Sequence, residues 1–223
     1  MSEPVLSVGV LISGSGSNLQ ALIDRIADGS VPARIALVIS NRADAFGLQR
    51  ARLAGIPTRV IDHREFPDRV SFDRTMIAAL QESGVELVCL AGFMRVLTAD
   101  FIRAFEGRLL NIHPALLPAF PGLHVQQRAI DAGARFSGAT VHFVTEEVDA
   151  GPIVIQAVVP ILDHDDAQTL AARILKQEHR IYPLAVLWFA QGRLQIVRQR
   201  VQIRETIEAP DAYLLNPSAP DTY

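Results

Sequence analysis

Asn111-Ile112-His113-Pro114 sets an amide and an imidazole two residues apart, just ahead of a proline. Alternate residues of a strand share a face, so Asn111 and His113 point the same way. Such a histidine can supply a proton or a positive charge to a forming oxyanion, and the asparagine amide can donate to the same oxygen. A structural role at a strand end accounts for the pair equally well. Asp149, in Val148-Asp149-Ala150-Gly151-Pro152, also has two readings. It can cap a turn, for which these residues are apt, or face His113, where a carboxylate favours the charged imidazole. Spacing alone does not bring Asp149 and His113 together. Ser13-Gly14-Ser15-Gly16-Ser17-Asn18 is a third candidate, a glycine-rich turn whose free N–H groups would suit an anion such as phosphate. It is neither G-x-G-x-x-G nor a Walker motif, and ordinary strand–helix turns use the same residues. His124 is a weaker candidate, and His142, inside Ala-Thr-Val-His-Phe-Val, reads as a hydrogen-bonded structural side chain. Cys89 lies in an apolar run and reads as inert packing. The histidines lack metal-binding spacing, so no metal site is expected.

The elements that must carry these residues alternate. Apolar runs at Val5–Ile12, Arg34–Ile39, Thr58–Ile61, Val85–Leu90 and Leu109–His113 read as strands. Helical spacing falls between them, at Asn18–Ala27, Ala45–Ala54, Ser71–Ser83 (with a serine hydroxyl as cap) and Thr98–Phe105. This rhythm predicts an α/β domain with a mostly parallel central sheet and helices on both faces. In such a sheet, strand carboxyl ends border the ligand crevice, which is where His113 falls. After a helix at Gln126–Gly133 the rhythm changes. Ala139–Val144 and Ile153–Val159 then predict an irregular or antiparallel part. Asp166–Ala190 has a helical pattern interrupted at Pro183. The expected division is one domain over 1–203 and a polar, proline-rich surface tail over 204–223.

Composition narrows the classes. At 223 residues, 49% hydrophobic, the chain can bury a substantial core. A net charge of −3 argues against a general binder of nucleic acid or anionic membranes. One cysteine excludes an internal disulfide and fits a reducing compartment. Acidic Glu3 stands where a signal peptide needs basic residues, and the first apolar run breaks at Ser13-Gly14. A cytoplasmic protein is expected, with no membrane span.

Taken in order, several segments resemble the glycinamide ribonucleotide transformylase family. They are Leu11–Gln20, Ile39–Leu48, Leu90–Arg95, Leu109–Pro118, Phe120–His124, Val141–Thr145 and Gln177–His179, spread over roughly residues 5–195. The resemblance implies a Rossmann-like formyltransferase fold and an enzyme that passes the formyl group of 10-formyltetrahydrofolate to the amine of glycinamide ribonucleotide, in purine biosynthesis. It implies Asn111, His113 and Asp149 as the catalytic trio. Gly16, Ser17 and Asn18 match the segment that binds the substrate phosphate, with Gln177 and Glu178 on the ribose side. Arg69, Met94, Arg95, Val96 and Leu97, together with Asn111 and the loop Thr145, Glu146, Glu147, Val148 and Asp149, match the folate cleft; Arg69 is placed in a loop. No metal is implied, and the oligomeric state, a homodimer included, stays open.

Two departures from the family pattern are modest, and only the second, at Ala150, bears on acceptor choice. This chain has Ser15 where the family often has asparagine, and Ala150 where it often has glycine. Methionyl-tRNA formyltransferase and formyltetrahydrofolate hydrolase resemble the same core, but the first carries an RNA-binding C-terminal domain and the second an N-terminal regulatory one. A non-catalytic nucleotide-binding module is the rival of another class.

Overall fold

The computed structural model describes residues 5–205. Leu6–Ile12 (β1) is buried along nearly all its length, as a strand covered on both faces must be. It feeds through the glycine-rich turn into Ser17–Ala27 (α1), followed by Ala33–Ser40 (β2), Phe46–Leu53 (α2) and Thr58–Val60 (β3). Arg69–Glu82 (α3), Leu87–Leu90 (β4), Ala99–Ala104 (α4) and Leu109–His113 (β5) continue the alternation. Val125–Asp131 (α5), Phe136–Phe143 (β6), Ile153–Pro160 (β7), Ala167–Ala190 (α6) and the hairpin Leu194–Val197 (β8), Arg200–Ile203 (β9) complete the described chain.

The main sheet runs β3-β2-β1-β4-β5-β6-β7. Its first five strands are parallel, and β6 and β7 are antiparallel, as the change of rhythm predicts. The chain winds outward from β1 to β3, then returns to lay β4 on the other side of β1. That reversal opens a crevice beyond the carboxyl ends of β1 and β4. Alternation along β1 sends Val8, Val10 and Ile12 into a core with α1, α2, α5 and α6, and Leu11 into a second core with α3 and α4. Among the described residues no helix is long and apolar enough to cross a membrane.

Three local expectations are corrected. The helix α3 begins at Arg69, so Arg69 is helical rather than in a loop, and the cap is the Asp68 carboxylate accepting from the Ser71 amide, not a serine hydroxyl. The helix α6 runs through Pro183 without a break. Leu170, Ile174, Tyr182 and Val186 anchor it on the core on both sides of the proline, and the Tyr182 hydroxyl reaches the carbonyls of Leu90 and Leu110 at 2.9 and 3.1 Å. A proline removes one helical hydrogen bond, and packing of this extent outweighs that loss. The hairpin β8–β9 carries no turn signal in the sequence, since its turn lacks the usual glycine or asparagine; Arg198 takes the positive φ, 58°. The expected tail over 204–223 lies outside the described residues beyond Glu205.

Candidate active site

The strand β5 ends at His113 and presents Asn111 and His113 on one face. Antiparallel pairing sets Asn111 opposite His142 of β6, and His113 opposite Thr140. Asp149 arrives from the β6–β7 connection, with φ of 56°. Its carboxylate lies 3.4 Å from His113 Nδ1 and 3.7 Å from His142 Nε2. The turn holding it admits only glycine at 151, since a Cβ there would stand 1.8 Å from the Phe143 carbonyl oxygen. The Gly122 amide donates to Asp149 Oδ2 at 2.8 Å, so a second loop also fixes the carboxylate. Of the two readings of Asp149, the structure therefore places it beside His113.

Both ring nitrogens of His113 face acceptors. Nε2 is 3.0 Å from the Phe120 carbonyl oxygen, and Nδ1 faces the Asp149 carboxylate. His142 differs. Burial holds its pKa below the usual range, which keeps the ring neutral. Its Nδ1–H donates to the Phe143 carbonyl (2.9 Å), leaving Nε2 to accept from the Asn111 amide at 3.1 Å. That bond orients Asn111 and leaves its second amide hydrogen for a ligand. In sequence His142 reads as a hydrogen-bonded structural side chain, which it is, with nothing to place it beside Asn111. Only the β5–β6 register, which pairs it with Asn111, could have shown it.

The glycine-rich turn leads from β1 into α1. Gly16 has φ of 68° and packs on Gly47, leaving 2.5 Å between a Cβ at 16 and the Gly47 Cα. The turn and the first residues of α1, Ser17 and Asn18, line the crevice. Asn18 Nδ2 donates to Glu178 Oε2 at 2.6 Å, although 160 residues separate the two in sequence. Both are buried, Asn18 Oδ1 has no partner among the described residues, and burial raises the Glu178 pKa. A hydroxyl-rich ligand suits such a pair, because an unpaired buried acceptor costs free energy until a donor reaches it. Gln177 meets Arg180 one turn away and stays half-exposed.

The turn shares a cavity of about 520 Å³ with Asn41, Arg42, His63 and the segment after β4, including Met94 and Arg95. Ser13 joins these loops: its hydroxyl donates to Asn41 Oδ1 (2.6 Å) and accepts from the Met94 amide (2.8 Å). Met94, Val96 and Val148 are exposed, whereas Leu97 is buried in the core with Phe93. Exposed Glu146 pairs with Arg103, Glu147 is exposed, and Thr145 binds the Glu147 carbonyl. Arg69 is exposed at the start of α3. The apolar rim with nearby arginines suits a flat aromatic ligand bearing carboxylates.

A parallel sheet with a crevice at its switch point and an Asn–His–Asp cluster at one strand end define an α/β group-transfer fold. The chain belongs to the formyl transferase family, which matches residues 6–186. It is similar to the phosphoribosylglycinamide formyltransferase of Haemophilus influenzae, 50% identical over 85% of this chain and 89% of that protein. The Escherichia coli K12 protein of the same name is 47% identical, over 86% and 90%. The chain also matches the trifunctional purine biosynthetic protein adenosine-3 of Drosophila pseudoobscura pseudoobscura at 53% identity, spanning only 15% of that protein's length. Among solved structures, glycinamide ribonucleotide transformylase 1 from Symbiobacterium toebii superimposes with a TM-score of 0.88 at 53% identity, covering 89% of this chain and 94% of that one.

Proposed function

We propose that the protein transfers the formyl group of 10-formyltetrahydrofolate to the amine of glycinamide ribonucleotide, yielding formylglycinamide ribonucleotide and tetrahydrofolate for purine biosynthesis. The observation that carries this reading is the cluster of Asn111, His113, His142 and Asp149 built around the last residues of β5. The names and coverage of the two bacterial relatives support it. Gly16, Ser17 and Asn18 hold the ribonucleotide phosphate at the amino end of α1, and Glu178 takes a ribose hydroxyl, with Gln177 beside it. Met94 to Leu97, Arg69 and the Thr145–Asp149 loop receive the folate. The protein works in the cytoplasm, within a single domain over 1–203.

In this reading the residues act on one oxygen and one proton. As the substrate amine attacks the formyl carbon, Asn111 donates to the oxygen that gains negative charge, and the Nε2–H of His113 turns from the Phe120 carbonyl to the same oxygen. Asp149, whose carboxylate lies at Nδ1, orients the ring. The new bond joins the amine nitrogen to the formyl carbon, the bond from that carbon to the folate nitrogen breaks, and the amine proton ends on the folate nitrogen. Neither a metal nor a covalent enzyme intermediate enters this route. The test is formyl transfer to glycinamide ribonucleotide, with hydrolysis of the formyl folate measured in parallel. Transfer dependent on the ribonucleotide is expected; hydrolysis alone would make the protein a hydrolase, and neither reaction would leave a binding module.

A further inference from the structure

Residues 91–98 run along the rim of the crevice in alternation. Phe93 and Leu97 are buried, while Met94 and Val96 are 65% and 54% exposed. The segment has no strand partner to hold it at this height. Among the described residues, the Met94 amide donates to Ser13 Oγ at one end. At the other end both the Thr98 amide and the Thr98 hydroxyl donate to a single oxygen, Oδ2 of Asp73, at 2.6 and 2.8 Å. Thr98 in turn caps α4 by accepting from the Phe101 amide.

Asp73 is an unusual residue for its position. It lies on the inward face of α3 between Phe72 and Met76, only 1% exposed, where an apolar side chain would normally pack. A buried carboxylate is costly unless its hydrogen bonds compensate. Among the described residues both of its hydrogen bonds are to Thr98, and the charged groups acting on it are Arg69 and Arg95.

We infer that Asp73 is a positioning residue for the folate cosubstrate: through Thr98 it sets the height and slope of the Met94–Leu97 segment without touching the ligand. The inference rests on the proposed assignment of that segment to folate. It separates from a merely structural role by the ligand affected. The hydrogen-bond route from Asp73 to the ribonucleotide turn after β1 passes through the whole segment and Ser13, and otherwise the two share only the core beneath α3, so the folate site should move first.

The test compares KM for both substrates in Asp73→Ala, Asp73→Asn and the wild-type chain, with thermal melts to confirm folding. Asp73→Ala should raise the folate KM about tenfold or more, because a single hydrogen bond to a charged group is worth that much. The ribonucleotide KM should stay within about twofold. Asp73→Asn keeps an oxygen that can accept both Thr98 bonds and should restore most of the folate affinity. If Asp73→Ala fails to fold, Thr98→Val against Thr98→Ser gives the same contrast on the donor side. An equal rise in both KM values, or an unchanged folate KM, overturns the inference. Val96→Asp, on the exposed crest, checks the assignment beneath it. If Val96→Asp weakens folate but Asp73→Ala does not, only the role of Asp73 falls; if Val96→Asp has no effect, the folate assignment falls and the inference with it.

Discussion

The chemistry of single residues turns on which atoms face acceptors. His113 and Asp149 form one unit, since the carboxylate lies at Nδ1 while the Phe120 carbonyl occupies Nε2. His113→Ala and Asp149→Asn should each lower kcat by about 100- to 1000-fold, the usual effect of losing one oxyanion donor. The double variant should be little worse than the poorer single one. A double-mutant cycle on kcat checks this, and near-full activity of Asp149→Asn would reduce Asp149 to a turn residue. His142 makes a separate prediction about pH. Its folded pKa is lowered by burial from the usual 6.5, so the unfolded chain binds its proton more readily. The stability it contributes is complete above that value and is lost as pH falls below it. The melting-temperature advantage of the wild type over His142→Gln should therefore shrink on acidification from pH about 8 to 5. An advantage that grows in acid would mean a charged ring in the native site.

At the scale of elements, two turns present the site, and glycine sets each of them. Gly151→Ala would drive a methyl into the Phe143 carbonyl and displace Asp149 two residues away. Lower turnover together with a lower melting temperature is expected, measured on purified protein. At the amino end of α1, Asn18→Ala removes a possible ligand contact and leaves buried Glu178 without its 2.6 Å partner. It should raise the KM for glycinamide ribonucleotide at least about tenfold, with a smaller change for folate. Equal weakening of both ligands would point to general disruption of the fold.

For the whole molecule, one sheet separates two apolar cores, and both depend on the same central strand. Leu11 is fully buried in the core under α3 and α4, on the strand that opens into the ribonucleotide turn. Leu11→Ala should cost about 2–5 kcal/mol. A domain of this size loses about 2–4 °C in melting temperature per kcal/mol. A scanning-calorimetry shift of several degrees is therefore expected, with both KM values nearly unchanged below the transition. Loss of ribonucleotide binding well below that transition would show that the core and the turn are more tightly coupled than packing alone requires.

Much of this architecture is local and was legible in the chain. The strand and helix alternation, the shared face of Asn111 and His113, and the glycine-rich turn at the end of β1 all follow from the side-chain period of neighbouring residues. Periodicity says nothing about which distant segments meet. Whether Asp149 faces His113 depended on the path of the β6–β7 turn, and His142 entered the cluster only through the antiparallel register that sets it opposite Asn111. The Asn18–Glu178 bond waited on how α6 packs against α1, and the continuity of α6 through Pro183 on the core beneath it. Asp73 reads in sequence as one more polar helical residue; burial against the start of α4 gave it Thr98 as a partner. Sequence thus determined the elements and the chemistry available, because these depend on near neighbours. Tertiary structure decided which of those groups act together, because that depends on register and packing between segments far apart in the chain.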